Sequence, residues 1–241
     1  MKRIIRFILL LPIFTLFACG NEMSRLPFAG KGFGGPQNQN ENKIPKRITN
    51  DPIVFVHGFL GSTDVWSGAR KFFLTNGYNV HELFAIDMGS SYENSARIKK
   101  LSEQLKDFID KVLEYTGRNK VMIVSHSGNG LTVRKYLKTY GIDKVSKCVL
   151  IVSPNKGMTF GIFNVIKPNS PLIRELNTPT EEISGLKVLC IRGGKDTYFD
   201  RGYQMSPFLK GATNITIHDA DHLNIIQNND TFKAILKFIN A

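Results

Sequence analysis

The chain lacks any run of about 20 apolar residues, the length a membrane-spanning helix needs. Its N-terminal run, Ile4 to Ala18, is too short and is broken by Arg6, Pro12 and Thr15. Cysteine is scarce, with three in 241 residues, at Cys19, Cys148 and Cys190. The last two lie in apolar runs that read as buried strands, at different depths. They are expected to be buried thiols, although an exported chain permits a disulfide. Negative charge is short as well: 20 Asp and Glu face 32 Lys and Arg, a formal net charge of +12. Such a balance favours contact with anionic lipid or acidic envelope polymers. Nucleic acid is not an expected partner, because no nucleic-acid module is present and the lysines are scattered rather than striped. Internal repeats are absent too.

Lys2, Arg3 and Arg6 beside the short apolar run read as an export signal. Leu16-Phe17-Ala18-Cys19 resembles a bacterial lipobox, in which a small residue precedes a cysteine that is diacylated and becomes the new N-terminus. Residues 1–18 are therefore expected to be a signal peptide and Cys19 a lipid anchor to a membrane of the cell envelope, the outer membrane first. Several acyl chains, at ~0.8 kcal/mol per buried methylene, hold a protein there stably. Cleavage removes three positive charges and no acidic ones, so the formal +12 falls to +9. Residues 19–47, rich in Gly, Asn, Gln and Pro, bury little apolar surface and are expected to form a flexible tether. Residues 48–241 have the length of one domain with a substantial core.

Short β-branched runs alternate with helical patterns in that domain. Strands are expected at Pro52–Val56, Asn79–Ala85, Lys120–Ser125, Ser146–Ser153, Leu186–Arg192 and Asn214–His218. The clearest helix runs from Ser95 to Thr116, with Ile98, Leu101, Leu105, Phe108, Ile109, Val112 and Leu113 on one face and Gly117 as its stop. Further helices are expected at Val65–Asn76, Gly128–Tyr140 and Asp230–Asn240. The alternation predicts an α/β fold, a mostly parallel sheet of about six strands with helices on both faces. Ligands of such sheets bind at the carboxyl ends of the strands.

At those ends the chain places reactive residue types. Ser127 follows the apolar run Val121–Val124 and precedes a helical pattern, the layout of a nucleophile elbow. The form G-x-S-x-G is not met, since Ser125 stands at the first glycine position and Asn129 at the second. Asn129 adds a Cβ where helix and strand approach, at a cost set by the backbone there. After the first strand comes His57-Gly58-Phe59-Leu60-Gly61, a turn that lets a backbone N–H approach a substrate; Phe59 and Gly128 are the expected oxyanion donors. Asp196, directly after Gly193-Gly194-Lys195, is favoured over Asp200 as the carboxylate that orients a histidine. His222 is favoured over His218 as base because it lies on the loop beyond the last strand. His126, on the opposite face of its strand from Ser127, is expected to be packed and hydrogen-bonded, and His81 to be a strand residue without a chemical role.

Serine, acid and histidine in this order, each after a predicted strand, resemble the α/β-hydrolase superfamily, and more closely its compact bacterial lipases and esterases. Further stretches carry the likeness: Thr116-Gly117-Arg118-Asn119-Lys120-Val121, Ser153-Pro154-Asn155-Lys156-Gly157, and Ser170-Pro171-Leu172-Ile173-Arg174-Glu175-Leu176-Asn177. The resemblance spans about residues 52–241. It implies a hydrolase with a minimal lid or none, acting on an ester or lipid without cofactor or metal. Ser127, Asp196 and His222 carry over as the triad and Phe59 and Gly128 as oxyanion donors, with no obligate protein partner. Met158, Phe160, Ile162, Phe163, Val165 and Ile166, between Ser153 and Gly185, are candidates either for an acyl site or for core under a covering helix. Two other readings stay open at this level: an acyltransferase or thioester or polyester hydrolase on the same fold, and a weakly catalytic surface-binding lipoprotein.

Overall fold

The structure, a computed structural model, describes residues 33–35, 46–59, 61–89, 94–159, 164–199 and 205–241. The expected signal peptide and Cys19 anchor, the rival carboxylate Asp200, and Phe160, Ile162 and Phe163 lie outside the described residues. Six strands, β1 (Ile53–Val56), β2 (Leu83–Ile86), β3 (Val121–His126), β4 (Val145–Ile151), β5 (Lys187–Gly193) and β6 (Thr213–Ile217), form one parallel sheet in the order β2-β1-β3-β4-β5-β6. Every residue of β1, β2 and β3 is buried. Burial on both faces is why these strands read as continuous apolar runs rather than alternating ones.

Helices α1 (Ser67–Thr75) and α5 (Asn229–Asn240) share one face of the sheet, where the rings of Phe72 and Phe232 lie 5.5 Å apart. Helices α2 (Ser95–Thr116) and α3 (Asn129–Tyr140) pack on each other over the other face, and α4 (Pro171–Asn177) packs on α3. The chain runs from β1 outward to β2 and then returns past β1 to β3. Connections after β1 and β3 therefore leave toward opposite faces, and a crevice opens between them at the carboxyl edge. Because Val56 pairs with Ser125, residues 57–59 stand opposite residues 126–128. No helix among the described residues is long and apolar enough to cross a membrane.

Helix α2 has the predicted bounds because three local signals agree. The Asn94 side chain accepts from Arg97 N–H at 3.0 Å, the apolar positions fall at helical spacing, and Gly117 ends the helix at φ +70°. Other expectations need correction. The strand predicted at Asn79–Ala85 begins only at Leu83, and Val80–Glu82 is a 3₁₀ turn. Asn79 and Glu82 form a reciprocal cap there, and the Glu82 carboxylate also accepts from Asn50 N–H at 2.7 Å. Burial alone would raise the Glu82 carboxyl, but the donors of Asn50, Asn79 and Thr49 outweigh it and hold it low. His81 therefore lies in this turn and not in a strand, with its Nδ1 2.8 Å from the Tyr115 hydroxyl. Helix α1 begins two residues later than predicted, after a 3₁₀ turn at Thr63–Trp66 in which the Ser62 hydroxyl accepts from Asp64 N–H at 3.3 Å.

The stretch expected to be a tether is not free of the domain at Phe33–Gly35. Phe33 is 1% exposed, its ring 6.0 Å from that of Phe55, and Gly34 N–H donates to Leu83 O at 2.7 Å. Strand β2 is the sheet edge, so its carbonyl is available to a passing segment. Phe33, an aromatic in a stretch dominated by Gly, Asn, Gln and Pro, supplies the apolar contact. Met158, Val165 and Ile166 are core residues, which favours the core reading of the segment between β4 and β5. Within that segment the described residues form only a 3₁₀ turn, Asn164–Ile166, and the seven-residue α4. Cys148 and Cys190 are buried free thiols.

Candidate active site

Strand β3 runs into Ser127 at φ +54°, and α3 starts two residues later with Gly128 as its N-cap. This left-handed conformation costs an L-residue about 1–2 kcal/mol. It is held by Ser127 N–H to Ile151 O at 2.8 Å and by Gly130 N–H to Ser127 O at 3.0 Å. The tight approach of α3 falls at Gly130, where a Cβ would stand 1.8 Å from Ser153 Oγ. Position 129 is different. Asn129 takes a helical conformation, is fully buried, donates through Nδ2 to His57 O at 2.6 Å and accepts at Oδ1 from Thr132 Oγ at 3.1 Å. The expected cost of a Cβ at position 129 is thus avoided, because the glycine requirement has moved one residue along the helix.

Ser127 Oγ lies 2.8 Å from His222 Nε2, and His222 Nδ1 lies 2.8 Å from Asp196 Oδ2. The other carboxylate oxygen of Asp196 accepts from Tyr198 N–H at 2.9 Å. The side chains of His222 and Asp196 are 6% and 1% exposed, so this line of hydrogen bonds is shielded from water. Tyr198 stacks on the imidazole, with centroids 4.3 Å apart and planes 21° apart. The loop bearing His222 is pinned by Asp221 and Asn224: Asp221 Oδ1 accepts from Leu223 and Asn224 N–H, and Asn224 Oδ1 accepts from Asp221 N–H. These N–H donors hold the Asp221 carboxyl below its ordinary range. Sequence reasoning missed this pair, although D-x-x-N is a recognisable local turn pattern. His218 is exposed at the end of β6.

His126 donates through Nε2 to the carbonyl of His222 at 2.8 Å, bracing the base from beneath. Burial, then the proximity of His222 and His57, pushes the His126 imidazole down to about 3. Its folded value lies below the unfolded 6.5, so the unfolded chain binds the extra proton between these values and acid favours unfolding. Stability from this group is complete above pH 6.5 and falls toward pH 3, at on the order of 1 kcal/mol per pH unit. Urea denaturation of the wild type and of His126→Gln between pH 7 and pH 4 is expected to give a shallower acid slope in the variant. Identical slopes would refute this account.

The loop after β1 presses on the elbow. A Cβ at Gly58 would stand 2.5 Å from His126 Nδ1 and 3.0 Å from Ser127 Cβ, so only glycine lets the backbone come this close. His57 is fully buried. Met88 N–H donates to its Nε2 at 2.9 Å, Asp87 Oδ1 lies 3.2 Å from the same nitrogen, and its Nδ1 lies 2.7 Å from Gly58 O. Phe59, half-buried, follows at the mouth of the crevice. A second element missed by sequence is Arg134, buried on α3. Its guanidinium donates to Asn155 O, Leu176 O and Asn177 Oδ1, which ties the turn after β4 and the end of α4 to the elbow helix. Burial lowers it to about 10, so it stays charged at neutral pH. No group of side chains among the described residues is arranged to hold a metal ion.

A family model described as "Lipase (class 2)" matches residues 50–165, which include His57-Gly58-Phe59 and Ser127 but neither Asp196 nor His222. The chain is 28% identical over 121 residues to a triacylglycerol lipase of Pseudarthrobacter phenanthrenivorans, a match covering 48% of this chain and 36% of the relative. A triacylglycerol lipase of Burkholderia plantarii matches equally, with 48% and 32% covered. The chain thus spans about a third of the length of the curated relatives it matches. Among solved structures it resembles the mature lipase BlEst2 of Bacillus licheniformis, with TM-score 0.62, 20% identity, and 81% of this chain and 94% of that one covered. The phospholipase PlaB of Legionella pneumophila is similar at TM-score 0.66 and 11% identity, with 80% and 60% covered. A bromoperoxidase of Bacillus anthracis is similar at TM-score 0.59 and 15% identity, with 80% and 93% covered. The fold is that of the α/β-hydrolases.

Proposed function

We propose that this chain is a serine hydrolase of carboxylic esters, with Ser127 as nucleophile, His222 as general base and acid, and Asp196 as the carboxylate that orients the imidazole. The observation that carries the reading is the unbroken line Ser127 Oγ, His222 Nε2, His222 Nδ1, Asp196 Oδ2, with both contacts at 2.8 Å. His222 takes the Ser127 proton as Oγ bonds to the ester carbonyl carbon, and the negative charge gathers on the carbonyl oxygen. The N–H groups of Phe59 and Gly128 receive that oxyanion, each donor contributing roughly 3–4 kcal/mol of barrier reduction. The imidazolium then passes its proton to the leaving alkoxide, and an acyl-Ser127 ester remains. His222 next deprotonates a water that attacks this ester, and the returning proton restores Ser127. No cofactor enters the cycle. The same reading holds the protein at the cell envelope through lipidated Cys19, within reach of ester or lipid substrates.

The short segment between β4 and β5 leaves little room for a large lid, so turnover is expected on soluble esters of short or medium acyl chains. A series of p-nitrophenyl esters, each measured below and above its solubility limit, checks this. Rates that rise smoothly with monomer concentration are expected. Activity confined to concentrations above the solubility limit would count against an open site.

A further inference from the structure

We propose that Asn129 is a positioning residue for this reaction: its side-chain amide locks the loop after β1 to the nucleophile's own turn and so holds the Phe59 N–H in register with Ser127. The inference rests on the proposed function. Asn129 sits two residues after Ser127, where G-x-S-x-G has glycine, and its amide is buried against a carbonyl from a different loop, 72 residues away in the chain. The orientation of the amide is not ambiguous. His57 O is a pure acceptor, so Nδ2 faces it, and Oδ1 takes the Thr132 hydroxyl.

The consequence follows from the geometry of two successive peptide planes. The first, between His57 and Gly58, is held by Asn129 at its carbonyl. The second, between Gly58 and Phe59, carries the proposed oxyanion donor, and its carbonyl faces His57 Nδ1 at 2.7 Å and Gly61 N–H at 3.1 Å. In a trans peptide the N–H points opposite to the C=O, so restraining each carbonyl aims each N–H. Gly58 is the joint between the planes. It must be glycine because a Cβ would strike His126 and Ser127, yet glycine is also the most freely rotating joint available. Asn129 removes that freedom on one side of the joint. A glycine at 129 has no group for the task and would leave the His57 carbonyl buried without this partner.

An oxyanion donor acts over a narrow window of about 2.7–3.1 Å, and deleting one costs on the order of 10²–10³ in kcat. Loosening one should cost less: kcat of Asn129→Gly is expected to fall about tenfold to thirtyfold on a soluble p-nitrophenyl ester, with KM within about twofold. Asn129→Asp adds a readout that a purely structural role would not move. As a carboxylate it repels the His57 carbonyl, whereas as a neutral acid it can donate to it, and burial favours the neutral form. The ratio of variant to wild-type kcat is therefore expected to rise as pH falls; His57 with Asp87 against its Nε2, His126 and His222 are the titratable groups present in both chains, so the ratio isolates what the new carboxylate at position 129 does, directly or through them. Amide hydrogen exchange across residues 57–59, read by mass spectrometry, is expected to quicken in Asn129→Gly and needs no turnover. Wild-type kcat and unchanged exchange in Asn129→Gly, or a pH-independent ratio for Asn129→Asp, overturn the proposal. A wild type inactive on every ester, with exchange quickened in Asn129→Gly, would leave the tie standing as architecture and remove the catalytic reading on which its role depends.

Discussion

Ser127→Ala is expected to lower kcat/KM for any ester the wild type cleaves by about 10⁴-fold or more, while the unfolding midpoint changes little. The size of the loss follows from the site. Removing Oγ leaves His222 with no group to deprotonate and no acyl-enzyme route, so only substrate binding and the oxyanion donors remain to accelerate attack by water. Stability should be nearly untouched, because the strained φ of +54° belongs to the backbone and is held by Ile151 O and by α3, not by the hydroxyl. A fluorophosphonate probe gives a second reading of the same atom. Labelling is expected on the wild type and not on the variant, and a variant that still takes the label would show that the nucleophile lies elsewhere.

Asp196→Asn is expected to cost on the order of 10⁴-fold in kcat with the fold intact, and the reason is specific to this loop. One oxygen of Asp196 accepts from Tyr198 N–H at 2.9 Å and the other faces His222 Nδ1 at 2.8 Å. In the amide, the oxygen must stay with the Tyr198 donor, so the NH₂ group is turned toward the imidazole. Nδ1 then becomes an acceptor, the ring proton moves to Nε2, and Nε2 cannot take the proton of Ser127. The imidazolium also loses its neighbouring negative charge. Asp200→Asn, the rival carboxylate from sequence, is the matching control and is expected to stay within a few-fold of wild type. A reversal of the two results would move the acid to position 200.

Much of this was legible because the signals were local or ordered along the chain. Helix α2 carries cap, apolar face and glycine stop within 24 residues, so its predicted and observed bounds coincide. The three residues of the proposed triad are legible from chain order and nearness to a strand's end, and they meet because a parallel sheet gathers all such ends at one edge. Where the readings failed, distant partners decided. Asn79–Glu82 reads as the start of a strand because it runs into the apolar Leu83-Phe84-Ala85, but the Glu82 carboxylate is claimed by the backbone of Thr49 and Asn50, and the segment coils to deliver it. Phe33 reads as part of a tether because Gly, Asn, Gln and Pro dominate the stretch around it. Its cover is Phe55 and the open edge of β2.

Asn129 marks the same division at the site itself. Chain order, the apolar run before Ser127 and the small residues after it determined the strand, the turn and the residue placed upon that turn, since these depend on periodicity and on neighbours a few positions away. The meaning of the departure from G-x-S-x-G did not depend on neighbours. By itself it reads as a strained or weakened elbow. Only the packing of α3 against the turn after β4 shows that Gly130 meets the steric demand, and only the approach of the loop after β1 supplies the carbonyl that Asn129 binds. Whether a buried polar side chain is a cost or a constraint is set by the acceptor it finds, and here that acceptor is 72 residues away in the chain.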